Sequence, residues 1–140
     1  MANVNLVDSS NIEVNQNGSN ISLDLTNNVI ETGSGTNGKY IKFFNGTLIQ
    51  YGSYSATKAT NVALSYGGYR TSGTYISFPI NFNTLESVSV TSYSDVNNNG
   101  FIVNNGQTNT TQIAGFWWTI NSNSTSLTHS LNYIAIGTWQ

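Results

Sequence analysis

Apolar residues recur at every second position along much of this chain, in short runs divided by Asn, Gly and Ser. Period 2 is the spacing of a strand with one covered face, and no stretch repeats at 3.6 residues over three turns. The first runs, Val4/Leu6, Ile12/Val14 and Ile21/Leu23/Leu25, are too brief to be stable alone. They predict short strands that pair onto the main domain or wind with other copies of the chain. Gly33-Ser34-Gly35-Thr36-Asn37-Gly38 then reads as a flexible linker, which puts a domain boundary between 1–38 and 39–140.

Beyond it the pattern sharpens. Tyr40 to Phe44 and Thr47 to Gly52 flank Asn45-Gly46, and Asn-Gly suits the two positive-φ positions of a type I′ hairpin turn. Residues 53–73 are less regular, with Val62 to Leu64 as a possible extension of a strand. Thr74 to Ile80 alternates until Pro79, which cannot donate a ladder bond and ends or bulges the strand. Leu85 to Tyr93 alternates cleanly, and Phe101 to Val103 is a short strand. Thr111 to Ile120 is a strong strand, with Phe116, Trp118 and Ile120 expected on the core side and Trp117 opposite. The last run, Leu131 to Trp139, has bulky groups on both faces, and one sheet covers only one of them. The other face calls for a second cover, for which a neighbouring copy of the chain is a candidate. Six or more strands at this spacing predict an all-β, antiparallel β-sandwich or barrel-like sandwich.

Composition narrows the functions. The chain has 140 residues, 7% of them charged, and a net charge of −2, which suits one domain. With Lys39, Lys42, Lys58 and Arg70 the only Lys and Arg residues, there is no basic patch to hold nucleic acid. Asn, Ser and Thr, about two-fifths of the chain, must wet the surface instead. There is no Cys and hence no disulfide or thiolate metal site, and neither a signal-peptide pattern nor a bilayer-length apolar run. No membrane insertion is expected.

Motifs of chemistry are weak here. Gly33-x-Gly35-x-x-Gly38 matches a dinucleotide fingerprint in letters but lacks the buried strand and helix that make it work. Asp95-x-Asn97-x-Asn99-Gly100 matches half a calcium loop, and Gly106 stands where the closing Glu should be. A turn tip is the default there, so no metal or other cofactor is expected. His129, the single His, has no nucleophile elbow to serve, and six scattered acids offer no carboxylate pair. His129 reads mainly as a solvated turn residue, with a place near a ligand or symmetry axis as the alternative. An enzyme is not expected. The aromatics say more: Tyr54, Tyr66, Tyr69, Tyr93 and Trp117 fall near loops or away from the expected core. Rings that stack on sugar faces, beside Asn, Asp and Arg that bond hydroxyls, make a recognition surface, although an intersubunit seam uses the same residues.

Five motifs in order carry a resemblance. Tyr40-Ile41-Lys42-Phe43 with Asn45-Gly46-Thr47-Leu48-Ile49-Gln50-Tyr51-Gly52 resembles the opening hairpin of bacteriophage tail-fibre C-terminal domains. Tyr75 to Phe82, Val88-Ser89-Val90, Gly115-Phe116 and the closing Tyr133-Ile134-Ala135-Ile136-Gly137-Thr138-Trp139 continue it over 39–140. Such domains often carry a Cys in the second strand of the hairpin and an Arg in the closing stretch, where this chain has Gln50-Tyr51 and Thr138. The resemblance implies a small sandwich related to H-type lectins, a homotrimer, a place at the virion tail-fibre tip, and bacterial surface carbohydrate as partner. Residues 1–38 would then be the end of a shaft or neck. The candidate sugar-binding residues are Tyr66, Tyr69, Arg70, Asp95, Asn97, Asn99, Trp117 and His129. A free-standing lectin of the same kind and a purely structural trimerisation tip remain open alternatives.

Overall fold

The computed structural model describes residues 13–17, 20–24, 29–94, 100–104 and 106–140. They form twelve strands: β1 (Glu13–Asn17), β2 (Asn20–Asp24), β3 (Val29–Gly35), β4 (Gly38–Phe43), β5 (Thr47–Thr60), β6 (Val62–Ala63), β7 (Tyr69–Arg70), β8 (Thr74–Ser77), β9 (Thr84–Ser94), β10 (Gly100–Val103), β11 (Gln112–Thr119) and β12 (Asn123–Thr138). No helix occurs among the described residues. β1 and β2 pair as an antiparallel hairpin. The other ten strands make two antiparallel sheets, the larger in the order β3-β4-β5-β12-β9 and the smaller in the order β10-β11-β7-β6, with β8 also on β11. The Val4/Leu6 run lies outside the described residues.

The sheets close on one core. Leu48, Leu131, Tyr133 and Ala135 come from the larger sheet, Ile76, Ile113 and Trp117 from the smaller, and Phe78 and Phe82 from the segment between β8 and β9. Alternation along β12 divides its faces. His129, Leu131, Tyr133 and Ala135 are buried, while Asn132 and Ile134 point outward. In the larger sheet, β12 pairs with β5 from Thr138↔Thr47 to Leu127↔Lys58 and with β9 on its other edge. Gly137 lies at the bulge against β9, where a Cβ would strike the Thr84 carbonyl oxygen and the Phe82 ring.

Three polar groups stitch the sandwich. Gln50, wholly buried, donates from Nε2 to the Ile80 carbonyl at 2.8 Å and accepts the Ile80 N–H at 3.2 Å. Pro79 has no N–H for a ladder, so this amide anchors its segment in place of a strand partner. Lys58 donates to the Gly73 carbonyl at 2.8 Å and Thr74 Oγ1 at 2.9 Å, and burial lowers its pKa. Trp139 clasps the first hairpin, its backbone N–H on Gly46 O at 3.1 Å and its indole N–H on Phe43 O at 3.0 Å.

Two local expectations are corrected. The stretch 33–38 is not a linker: Val29–Gly35 and Gly38–Phe43 pair as a hairpin on the edge of the larger sheet. Glycines serve close packing there, since a Cβ on Gly38 would strike the Tyr51 carbonyl oxygen. The Asn45-Gly46 turn also differs from type I′. Gly46 N–H bonds Phe43 O at 3.1 Å, so Phe44 and Asn45 are the central residues and Gly46 follows at φ 90. That is the pattern of a three-residue loop with a glycine after the turn. Asn45 Oδ1 accepts the Thr47 N–H at 3.0 Å, and Trp139 adds bonds to the Phe43 and Gly46 carbonyls.

Candidate functional site

The most distinctive surface is the outer face of the smaller sheet. β11 alternates, with Ile113, Gly115, Trp117 and Thr119 inward and Gln112, Ala114, Phe116 and Trp118 toward the outer side. The two flanking strands extend that outer side in register: Arg70 opposes Trp118, Val62 opposes Arg70, and Ile102 opposes Phe116. The Arg70 guanidinium lies over the Phe116 ring, 5.2 Å from its centroid, and bonds the Thr71 carbonyl at 3.1 Å. Gly100 opposes Trp118 on the other edge, which leaves that flank without a side chain. Tyr75 joins the same side opposite Ala114 and is exposed.

A tight loop closes the end of this face. Leu64 N–H bonds Gly68 O at 3.0 Å and Gly67 N–H bonds Leu64 O at 3.1 Å, with Gly67 at φ 100 and Gly68 at φ 82. Tyr66 at its apex is 72% exposed. Gly68 packs on the indole of Trp118, where a Cβ would come within 2.7 Å of Nε1. That indole N–H has no hydrogen-bond partner among the described residues. The result is a shallow patch of aromatic and aliphatic groups around one guanidinium.

The structure brings together only some of the expected residues. Tyr66 and Arg70 share this patch, while Tyr69 opposes Thr119 and turns to the inner side. Trp117 is a correction: it is 0% exposed and lies at the centre of the core. Its ring stacks with His129 at 5.2 Å and Tyr54 at 6.4 Å and meets Phe101 edge-on at 5.0 Å. The strand shows the face opposite to the one expected because Gly115 lets the Phe101 ring close onto the inner side, where a Cβ would come within 2.5 Å. His129 is a second correction, since it is buried in β12 rather than solvated in a turn, with Nε2 3.1 Å from Lys58 O. Both side chains are wholly buried. Asp95, Asn97 and Asn99 lie outside the described residues. Sequence reasoning missed Phe116 and Trp118, one position either side of the Trp it chose, because a shift of one residue exchanges the faces of a strand.

Two clefts occur on the larger sheet. One of about 520 Å³ is lined by Asn37, Lys39, Tyr51, Ser53, Asn132 and Tyr133, among others. The other, of about 340 Å³, lies along Leu85 to Val88 against Val103 and Thr108. No group of three His, Asp or Glu side chains suited to a metal is found among the described residues.

The comparisons agree with this architecture. Residues 42–138 match the family described as putative tail fiber protein gp53-like, C-terminal, and the chain belongs to that family. It is thus a tail-fibre C-terminal domain. No curated protein sequence matches. Among solved structures, a Pseudomonas aeruginosa R1 pyocin fibre comprising C-terminal residues 323–701 superposes with a TM-score of 0.55 at 11% identity, over 79% of this chain and 29% of that one. An N-truncated R1-type pyocin tail fibre gives a TM-score of 0.55 at 11% identity over 79% of this chain and 88% of that one. At that identity the likeness is one of fold, and the chain spans under a third of the longer pyocin fibre.

Proposed function

We propose that this domain is the receptor-binding tip of its fibre, that it binds bacterial surface glycan, and that it works as a homotrimer. The observation carrying the reading is the outer face of the smaller sheet, where Arg70, Phe116, Trp118 and Tyr66 gather in a chain with few charges. Aromatic rings offer apolar faces to sugar C–H groups, and the Arg70 guanidinium on the Phe116 ring offers donors to hydroxyls. The patch is shallow, so each contact is weak. Three copies on one tip raise the effective affinity through multivalency. Binding of this kind makes and breaks no covalent bond, and the domain acts as a recognition module rather than an enzyme.

Support for assembly comes from the outer face of the larger sheet. Ile41, Ile49 and Ile136 align across β4, β5 and β12 in register, one outward rung away from Tyr51. An intersubunit contact would cover this row, which the monomer's own core leaves outside.

Adsorption of the trimer to host cells tests the reading. Arg70→Ala and Trp118→Ser each lower adsorption at least tenfold while leaving the circular dichroism spectrum unchanged. Undiminished adsorption by both variants would overturn the assignment of this face, and absence of binding to any envelope would favour a purely structural tip. A monomeric mass in sedimentation would remove the trimer.

A further inference from the structure

The 520 Å³ cleft on the larger sheet lies at a step. β4 begins at Gly38, and its pairing with β5 reaches only to Lys39↔Tyr51, whereas β5 runs on to Thr60. The Thr36-Asn37 turn therefore overhangs the sheet at the point where its neighbour continues alone. The overhang is held firmly. Asn37 Nδ2 donates to the Ser77 carbonyl at 2.9 Å, and Tyr133 Oη donates to the Asn37 carbonyl at 3.3 Å from the core beneath. Gly52 permits the approach, because a Cβ there would collide with the Asn37 carbonyl oxygen. This is a preformed recess, and its walls do not wait for a ligand.

The lining has a definite chemistry. Tyr51 presents a ring that is 41% exposed, and Lys39 stands directly across the ladder from it. Ser53 and Asn132 oppose each other on the next rung and supply a hydroxyl and an amide. Of the four cationic side chains, Lys42 is paired with Glu31 at 2.7 Å, Lys58 is spent on Gly73 and Thr74, and Arg70 lies on Phe116. Lys39 alone has no hydrogen bond or ion pair among the described residues. No carboxylate side chain lines the cleft. A stacking ring, short polar groups and one uncommitted ammonium together select a polyhydroxylated ligand that carries negative charge.

We propose that this cleft is a second saccharide site, specific for a sugar bearing a carboxylate, with the Tyr51 ring under the pyranose and the Lys39 ammonium on the carboxylate. The inference rests on the receptor-binding reading and adds to it a ligand class and a site on the opposite sheet. Its charge contact is exposed, so it is modest and screened by salt.

The test uses the whole chain and the free monosaccharides. Sodium glucuronate and glucose are titrated into labelled protein and followed by amide chemical-shift changes. Glucuronate binds at millimolar strength with shifts centred on Lys39, Tyr51 and Ser53, and glucose binds about three- to tenfold more weakly. Lys39→Gln brings glucuronate down to the glucose level, Lys39→Arg keeps the preference, and Tyr51→Ser weakens both sugars. Equal affinity for the two sugars, or no effect of Lys39→Gln, overturns the acidic-ligand assignment. If Lys39→Gln protein still adsorbs to host cells while glucuronate shows no preference, only this inference fails. If wild-type protein binds no envelope, the receptor-binding reading fails with it.

Discussion

Replacing Gln50 by Leu isolates one contact on which the core depends. The side chain is wholly buried and makes two hydrogen bonds with the backbone of Ile80, at 2.8 and 3.2 Å. Leu has similar bulk and leaves little cavity, but it strands an N–H and a carbonyl that are half covered. Each stranded group costs about 1–3 kcal/mol, and the lower half of that range applies because Ile80 keeps some access to water. Burying Leu in place of an amide returns about 1 kcal/mol. The balance is a loss of about 1–3 kcal/mol. The effect spreads because Ile80 lies between Phe78 and Phe82, whose rings meet edge-on at 4.9 Å, with Phe78 also against Tyr133 at 6.0 Å. Urea unfolding at fixed protein concentration, followed by tryptophan fluorescence, measures it. The midpoint should fall with the slope unchanged. A loss below about 0.5 kcal/mol would refute the view that this amide anchors the Pro79 segment.

Trp117→Ala should cost about 3–5 kcal/mol, or prevent folding, because it empties the centre of the core; comparable thermal stability to Trp118→Ser would contradict the assignment of inner and outer faces. Burial pushes the Tyr133 phenol up to about 12, so the folded protein holds that proton while the unfolded chain releases it near 10. Stability should therefore decline from pH 10 to 12, less so in Tyr133→Phe, as read by thermal melts across that range. In the acid limb, hydrogen bonds from Lys42 and then Tyr40 hold the Glu31 carboxyl below its usual value. The stability this contributes is present above the ordinary carboxylate range and is lost as pH falls through the lowered value; Glu31→Gln should remove that dependence.

How much of this was legible beforehand depends on the kind of signal. Period-2 runs from Leu85 to Tyr93 and from Thr111 to Ile120 coincide with β9 and β11, since half-covered strands must alternate. The face assignment of β11 was not legible. Its outer side carries Phe116 and Trp118, and its inner side carries Gly115 and Thr119, so counting apolar residues selects the wrong face. Gly33 to Gly38 misled for a related reason: glycines that permit backbone packing look in sequence like glycines that confer flexibility. The tract Ser53 to Thr60 concealed the second part of β5, because only Tyr54 and Ala56 mark its inner face among Ser, Thr and Lys, and Asn123 to Ser126 concealed the start of β12, because that run has no apolar residue to mark a face. The Lys39 and Tyr51 cleft depends on where one strand stops beside another, which no local pattern encodes.

The position of β12 bears on how the domain is made. Every other strand of both sheets precedes it in the chain, yet it lies inside the larger sheet, between β5 and β9. Ser55 and Ser130, hydroxyl to hydroxyl at 2.7 Å across that junction, are 75 residues apart. Neither neighbour can substitute for it, so during synthesis β5 and β9 wait with open edges until the last strand emerges and slots between them. Loop closure over such separations is slow, and exposed edges invite pairing with other nascent chains. Closing the sheet is thus also the step at which a fibre's chains are most exposed to mispairing, and a partner that shields β5 and β9 until then would raise the yield of folded tips.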